Sequence, residues 1–345
     1  MQVVRVPFGV TSRGEDISAF RLSNGSGVTA EVISYGAALR CLHVPDNLGR
    51  TADIVLGYDD IAGYEADRCF LGATVGRVCG RIPGARFLVN GAPYEVAAND
   101  GQNHLHGGNV GFNKRLWSAN IHDDGVTFSR VSPDGEEGYP GALQISVRYR
   151  LLEDCSLRIE YTAAAEQATI TSLTNHSYFN LAGHDGGDVL AQQLQIRASR
   201  FAEARPDLIP TGELLPVAGT PLDFTSQKPV GRDIRAEYPQ VSRFGGYDHA
   251  YALDEANNGL RQVAYATDPA SGRRMRVYTD LPGMQFYSAN FLDAMGKSGA
   301  HYGRYGAFCL ETQHFPASAS GDFAGITLQA GETWQSATVF QFEWQ

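Results

Sequence analysis

Two histidines stand one residue apart in the run Asn103, His104, Leu105, His106, Gly107, Gly108. On a strand both would point to one face. His-x-His can hold a metal if a third ligand comes from elsewhere. It can equally hydrogen-bond a ligand or close a turn before the two glycines, and the spacing leaves these readings open. The run Thr174, Asn175, His176, Ser177, Tyr178, Phe179, Asn180, Leu181 says more. Period two puts Leu173, Phe179 and Leu181 on one face and Thr174, His176, Tyr178 and Asn180 on the other. An imidazole, a phenol and an amide on one face suit neither a dry core nor an ordinary wet edge. They suit a polyhydroxy ligand, whose hydroxyls need donors and acceptors and whose C–H face stacks on a ring. The alternative is a hydrogen-bonded polar layer between sheets.

Glu311 follows the apolar run Phe308, Cys309, Leu310. Glutamate is rarely buried without a partner. Burial raises its pKa and makes the ionised form a stronger base. A structural ion pair would explain the same residue. Asp248 follows Gly245, Gly246 and Tyr247, where Asp is more often a turn former than a catalyst. Gly76, Arg77, Val78, Cys79, Gly80 and Arg81 bring two arginines and close-packing glycines to one place. They can approach hydroxyls or a carboxylate, or form an exposed salt-bridging pair. Gly296-Lys297-Ser298 is no phosphate loop, because Phe291 stands where its first glycine is needed. Neither a Gly-x-Ser-x-Gly elbow nor a strand-borne Gly-x-Gly-x-x-Gly turn occurs.

The elements that must carry these residues are mostly strands. Leu143, Ile145, Val147, Tyr149 and Leu151 alternate with polar residues, and Leu157, Ile159 and Tyr161 resume the pattern after Glu153-Asp154. That predicts a hairpin with one buried face. Asn90-Gly91 predicts a tight turn between Phe87–Val89 and Tyr94–Val96, and Asn24-Gly25 an earlier one. Val339, Phe340, Phe342 and Trp344 form a closing strand. Helix signals are confined to short turns near 61–67 and 232–238. The proline-rich stretch 205–229 interleaves Leu208, Ile209, Leu214, Leu215, Leu222 and Phe224, so it reads as an ordered meander and not a linker. A single domain over residues 1–345 follows. Sheet faces of this extent are covered most simply by two packed antiparallel sheets.

Composition narrows the function. A hydrophobic fraction of 43% with 19% charged residues is that of a globular chain. The net charge of −10, with no long basic run, argues against nucleic acid and anionic lipid as partners. No apolar run reaches membrane-spanning length, and the first residues lack the apolar core of a signal peptide. Cys41, Cys69, Cys79, Cys155 and Cys309 are odd in number and scattered, as expected of free thiols in the cytoplasm.

Taken in order, the blocks 33–37, 53–58, 76–82, 103–108, 132–141, 175–183, 219–224, 247–249, 282–287 and 311–313 resemble those of the aldose 1-epimerases, over nearly the whole chain. The resemblance implies a large, twisted antiparallel β-sandwich of the galactose mutarotase-like type, with few short helices and an open sugar cleft. It implies interconversion of the α and β anomers of free aldoses, with no metal and no organic cofactor. By motif position, His176 matches the general acid, Glu311 the general base and His106 the second histidine. Arg81, Asp248 and Gln285 match residues that hydrogen-bond the sugar. The partner is then a monosaccharide, and the chain a monomer or homodimer. Three positions depart from the pattern: Gly80 and Ala250 where Asn is common, and Ala317 where Asp is common. A non-catalytic carbohydrate-binding sandwich and a glycoside hydrolase, with Asp248 and Glu311 as its two carboxylates, are the rival readings.

Overall fold

The computed structural model describes residues 2–255, 259–315 and 323–345; Ala317 lies outside them. Three antiparallel sheets make up most of the structure. The first pairs Gln2–Val10, Asp16–Ser23, Thr29–Ile33, Ala38–Pro45 and Thr51–Asp53 in chain order. The second has nine strands. Its centre is the predicted hairpin, Leu143–Leu151 with Ser156–Ala165, followed by the closing strand Thr333–Trp344. Burial alternates along both hairpin strands, as the period-two pattern requires.

The third sheet carries the site. Its six strands run in the order Tyr178–Phe179, Phe308–Gln313, Gly283–Tyr287, Asp248–Ala252, Arg200–Ala204, Pro210–Pro216. Its apolar face packs on the nine-stranded sheet. Phe179 meets Phe340 at a ring separation of 4.9 Å. The Thr312 and Thr338 hydroxyls bond across the same interface at 2.5 Å, so this buried polar pair is satisfied. The proline-rich stretch is ordered as expected: Pro210–Pro216 forms the edge strand, where proline's missing N–H costs no ladder bond.

Asn90 and Gly91 both take positive φ, 51° and 82°, and close the Arg86–Val89/Ala92–Glu95 hairpin. Two local expectations fail. Asn24-Gly25 is no two-residue turn: the connection runs from 24 to 28 and places its positive φ at Gly27. Residues 232–238 hold bends and one turn, closed by the Ala236 N–H on the Asp233 carbonyl at 3.0 Å, and the short helix comes later, at Pro239–Ser242. Pro239 starts it because a first-turn residue needs no N–H partner. The Ile61–Ala66 helix forms where expected, capped by Asp60, whose Oδ1 accepts from the Gly63 N–H at 2.9 Å.

Candidate active site

Strand register assembles the site. Ala250 pairs with Gln285, and Gln285 with Glu311, so the three stand in one row across three strands. The next row reads Asp248, Tyr287, Cys309, Tyr178. Side chains alternate across a strand, so Met284, Phe286, Leu310 and Thr312 face the core while Gln285 and Glu311 face the opposite side. A second layer comes from loops. The two-stranded ribbon of Arg81–Ile82 with His104–Leu105 delivers Arg81, and the chain then turns so that His106 sits at φ 52°. Gly107 follows because a Cβ there would lie 1.8 Å from the Gly76 carbonyl oxygen.

One pocket of about 300 Å³ is lined by all six predicted residues: Arg81, His106, His176, Asp248, Gln285 and Glu311. His176 Nε2 lies 3.6 Å from Glu311 Oε1, and Glu311 Oε2 has no partner among the described residues. A structural ion pair for Glu311 is therefore not what the fold builds. Burial pushes the Glu311 carboxyl well above its usual range, and the neighbouring Asp248 adds to this. Burial also brings His176 down to about 4. Burial thus disfavours the charged form of both groups, against the carboxylate and imidazolium that the chemistry needs at its start. The His176 ring lies nearly parallel to Tyr178 at 5.0 Å and to Phe70 at 5.9 Å. Its Nδ1 is 3.6 Å from the Cys309 thiol.

His106 Nδ1 accepts from the Gly80 N–H at 3.2 Å. Burial lowers its pKa well below the usual value, so the ring is neutral. A neutral ring that accepts at Nδ1 carries its proton on Nε2, so His106 is a fixed donor. Gln285 Nε2 donates to Asp248 Oδ1 at 2.6 Å, and Arg81 Nε to Asp100 Oδ2 at 2.6 Å. Burial raises the Asp248 carboxyl, against the pull of Arg81.

Other predicted groups lie elsewhere. His104 does not share a face with His106 in the pocket: its ring is held by the Ala97 carbonyl at 2.7 Å and the Tyr139 hydroxyl at 2.7 Å. Arg77 is buried on the carbonyls of Pro140 and Gly141, away from the pocket. Thr174 and Asn180 are spent on backbone carbonyls, because the chain breaks its strand between Asn175 and Tyr178. Sequence reasoning missed Arg68, Phe70 and Tyr287, which also line the pocket. Period two from Gln285 points to Tyr287; Phe70, at φ 61° in a loop, carries no such signal.

The fold is thus an antiparallel β-sandwich whose pocket holds a buried carboxyl–imidazole pair among polar donors. A model of the aldose 1-epimerase family matches residues 18–341. The chain is 40% identical to the galactose mutarotase of Bos taurus over 99% of both chains. It is 33% identical to the aldose 1-epimerase of Escherichia coli (strain K12), over 95% of this chain and 96% of that one. The crystal structure of galactose 1-epimerase from Lactobacillus acidophilus NCFM superposes with a TM-score of 0.88 at 27% identity, covering 99% of this chain and 98% of that one. The chain belongs to the aldose 1-epimerase family. Gly80 and Ala250, two of its departures, both line the pocket.

Proposed function

We propose that the protein interconverts the α and β anomers of free aldoses, with Glu311 as base, His176 as acid and His106 as a neutral donor. The observation that carries this reading is the His176–Glu311 contact of 3.6 Å inside the polar pocket. Ring opening takes the C1 hydroxyl proton to Glu311 and returns one from His176 to the ring oxygen. The C1–C2 bond then rotates. The ring closes on the other carbonyl face with both transfers reversed, so each turnover restores the pair. The pair holds one proton throughout. Burial disfavours the charged form, so bound sugar oxygens must hold the carboxylate and imidazolium before the ring opens, and opening relaxes the pair to its uncharged form. His106 Nε2–H, Arg81, Asp248 and Gln285 orient the hydroxyls, which supplies the positioning term.

The reaction consumes no electrons and needs no cofactor. Metal-free catalysis is supported by His106, whose Nδ1 accepts a hydrogen bond where a metal-bound histidine would ordinarily donate one. The five free cysteines support a cytoplasmic protein, acting as one domain and as a monomer or homodimer on a free sugar. No described helix is long and apolar enough to cross a membrane. The test is optical rotation of freshly dissolved α-glucose, α-galactose, xylose and arabinose. Faster approach to equilibrium with protein supports the reading; an unchanged rate overturns it. Release of reducing sugar from aryl glycosides would instead mark a hydrolase.

A further inference from the structure

Phe70 is held in a conformation that bulky residues avoid. Its φ is 61°, in the left-handed region, where glycine would sit without strain. Its neighbours fix it there. The buried Asp67 carboxyl accepts from the Cys69 N–H at 2.8 Å, the Leu71 N–H at 3.0 Å and the Tyr58 hydroxyl at 2.8 Å. Lys114 Nζ donates to the Asp67 carbonyl at 2.6 Å, and the Ala73 N–H closes the turn on the Phe70 carbonyl at 3.0 Å. The same loop holds the backbone of the acid. The Gly72 N–H donates to the His176 carbonyl at 3.0 Å, and the His176 N–H to the Ala73 carbonyl at 2.9 Å. Strain of this kind persists only where the surroundings impose it, and such residues cluster at active sites.

The strained backbone aims the ring at both imidazoles. It lies within 20° of parallel to His176 at 5.9 Å, and edge-on to His106 at 4.8 Å. Tyr178 is a second near-parallel ring, at 5.0 Å from His176. The titratable groups around His176 are Glu311 at Nε2, the Cys309 thiol at Nδ1, the neutral His106 ring at 5.4 Å and Tyr178 itself. Among them only Glu311 can offset a positive imidazolium at neutral pH. An aromatic face adds negative potential without adding an atom that takes the proton. We propose that Phe70 is a positioning residue: with Tyr178 it holds the His176 ring and stabilises its charged form, so that more of the sugar-bound enzyme carries the carboxylate and imidazolium that start ring opening. This rests on the anomer-interconverting reading of the pocket.

Rotation kinetics on α-glucose for the wild type, Phe70→Leu and Phe70→Tyr test it, with a circular dichroism spectrum of each. Leucine keeps an apolar side chain and removes the ring face; tyrosine restores the face. Phe70→Leu should lose about 5- to 30-fold in kcat, the worth of one desolvated cation–ring contact, with KM within about twofold of wild type. Phe70→Tyr should stay within about twofold of wild type in both. Should Phe70→Leu fail to fold, Phe70→Gly, which takes a positive φ without strain, replaces it with the same expected loss. A folded Phe70→Leu variant with wild-type kcat, a loss confined to KM, or a Phe70→Tyr variant as slow as Phe70→Leu would overturn the proposal. The wild type reports separately on the parent reading. If it leaves rotation unchanged, both fall; if it is active beside an unimpaired Phe70→Leu, only the role of Phe70 falls.

Discussion

His176, in the break between the strands Thr174–Asn175 and Tyr178–Phe179, and Glu311, on Phe308–Gln313, lie far apart in the chain, yet Nε2 and Oε1 are 3.6 Å apart and Glu311 Oε2 has no partner among the described residues. The distance is slightly long for a hydrogen bond and short enough for a sugar oxygen at each group to link them. Both groups are buried, so the pair's protonation is set by desolvation and not by solvent.

The pair works with one shared proton. A second proton goes to His176, whose pKa is brought down to about 4. The acid limb of kcat/KM, which reports the free enzyme, should therefore fall near pH 4 and not near the usual histidine value of about 6.5. A pH–rate profile from 3.5 to 9 checks this. A limb at about 6.5 would mean that His176 is charged in the free enzyme.

Folding stability should fall on acidification well before the carboxylates protonate. His104 and His176 titrate near 4 in the folded state and His249 near 3, against about 6.5 unfolded. Between those values the unfolded chain holds more protons, so each histidine removes up to about 1.4 kcal/mol per pH unit. The raised Glu311, Asp248 and Asp67 act in the opposite direction, and His106, His184 and His314, also lowered, add to the histidine side, so the histidines outnumber them. Urea unfolding at pH 7, 6 and 5 should show a falling midpoint; a flat or rising one contradicts the burial argument.

Much of this was legible in the sequence. Period two exposed the central hairpin, and an acid after Phe308-Cys309-Leu310 singled out Glu311 as a buried group. What stayed hidden depends on the third dimension. Arg77 and Arg81 look equivalent, but Arg77 ends in the core on Pro140 and Gly141 carbonyls while Arg81 reaches the pocket. The His104–His106 pair looked like a shared face until the positive φ of His106 turned it away. The Ala250–Gln285–Glu311 row needs the register of three strands, which no local pattern encodes.

Arg81 offers binding more than chemistry. Its partner Asp100 is half-exposed, so Arg81→Ala should leave the fold intact. Losing a charged donor to a sugar hydroxyl costs about 1.5–3 kcal/mol, or roughly 10- to 150-fold in KM, with kcat changed much less. Steady-state kinetics on glucose would show it; a loss confined to kcat would make Arg81 a participant in the chemical steps.

Dialysis against a chelator should leave activity unchanged. The donor atoms of His106, His176 and Glu311 lie within 4.8 Å of one another, so the geometry for a metal exists. The Gly80 N–H at His106 Nδ1 opposes it. Loss of turnover on chelation, restored by a stoichiometric transition metal, would reverse that conclusion.

Glu311→Gln tests the acid–base claim most directly. The amide keeps the shape and can still bond a hydroxyl, but it accepts no proton at this pH. Rotation kinetics on α-glucose, beside a glucose binding isotherm and a circular dichroism spectrum, are the measurement. The expected result is a folded protein that binds glucose within a few-fold of wild type and turns over roughly 10²–10⁴ times more slowly. A folded Glu311→Gln variant that equilibrates the anomers at near wild-type rate would contradict Glu311 as the base.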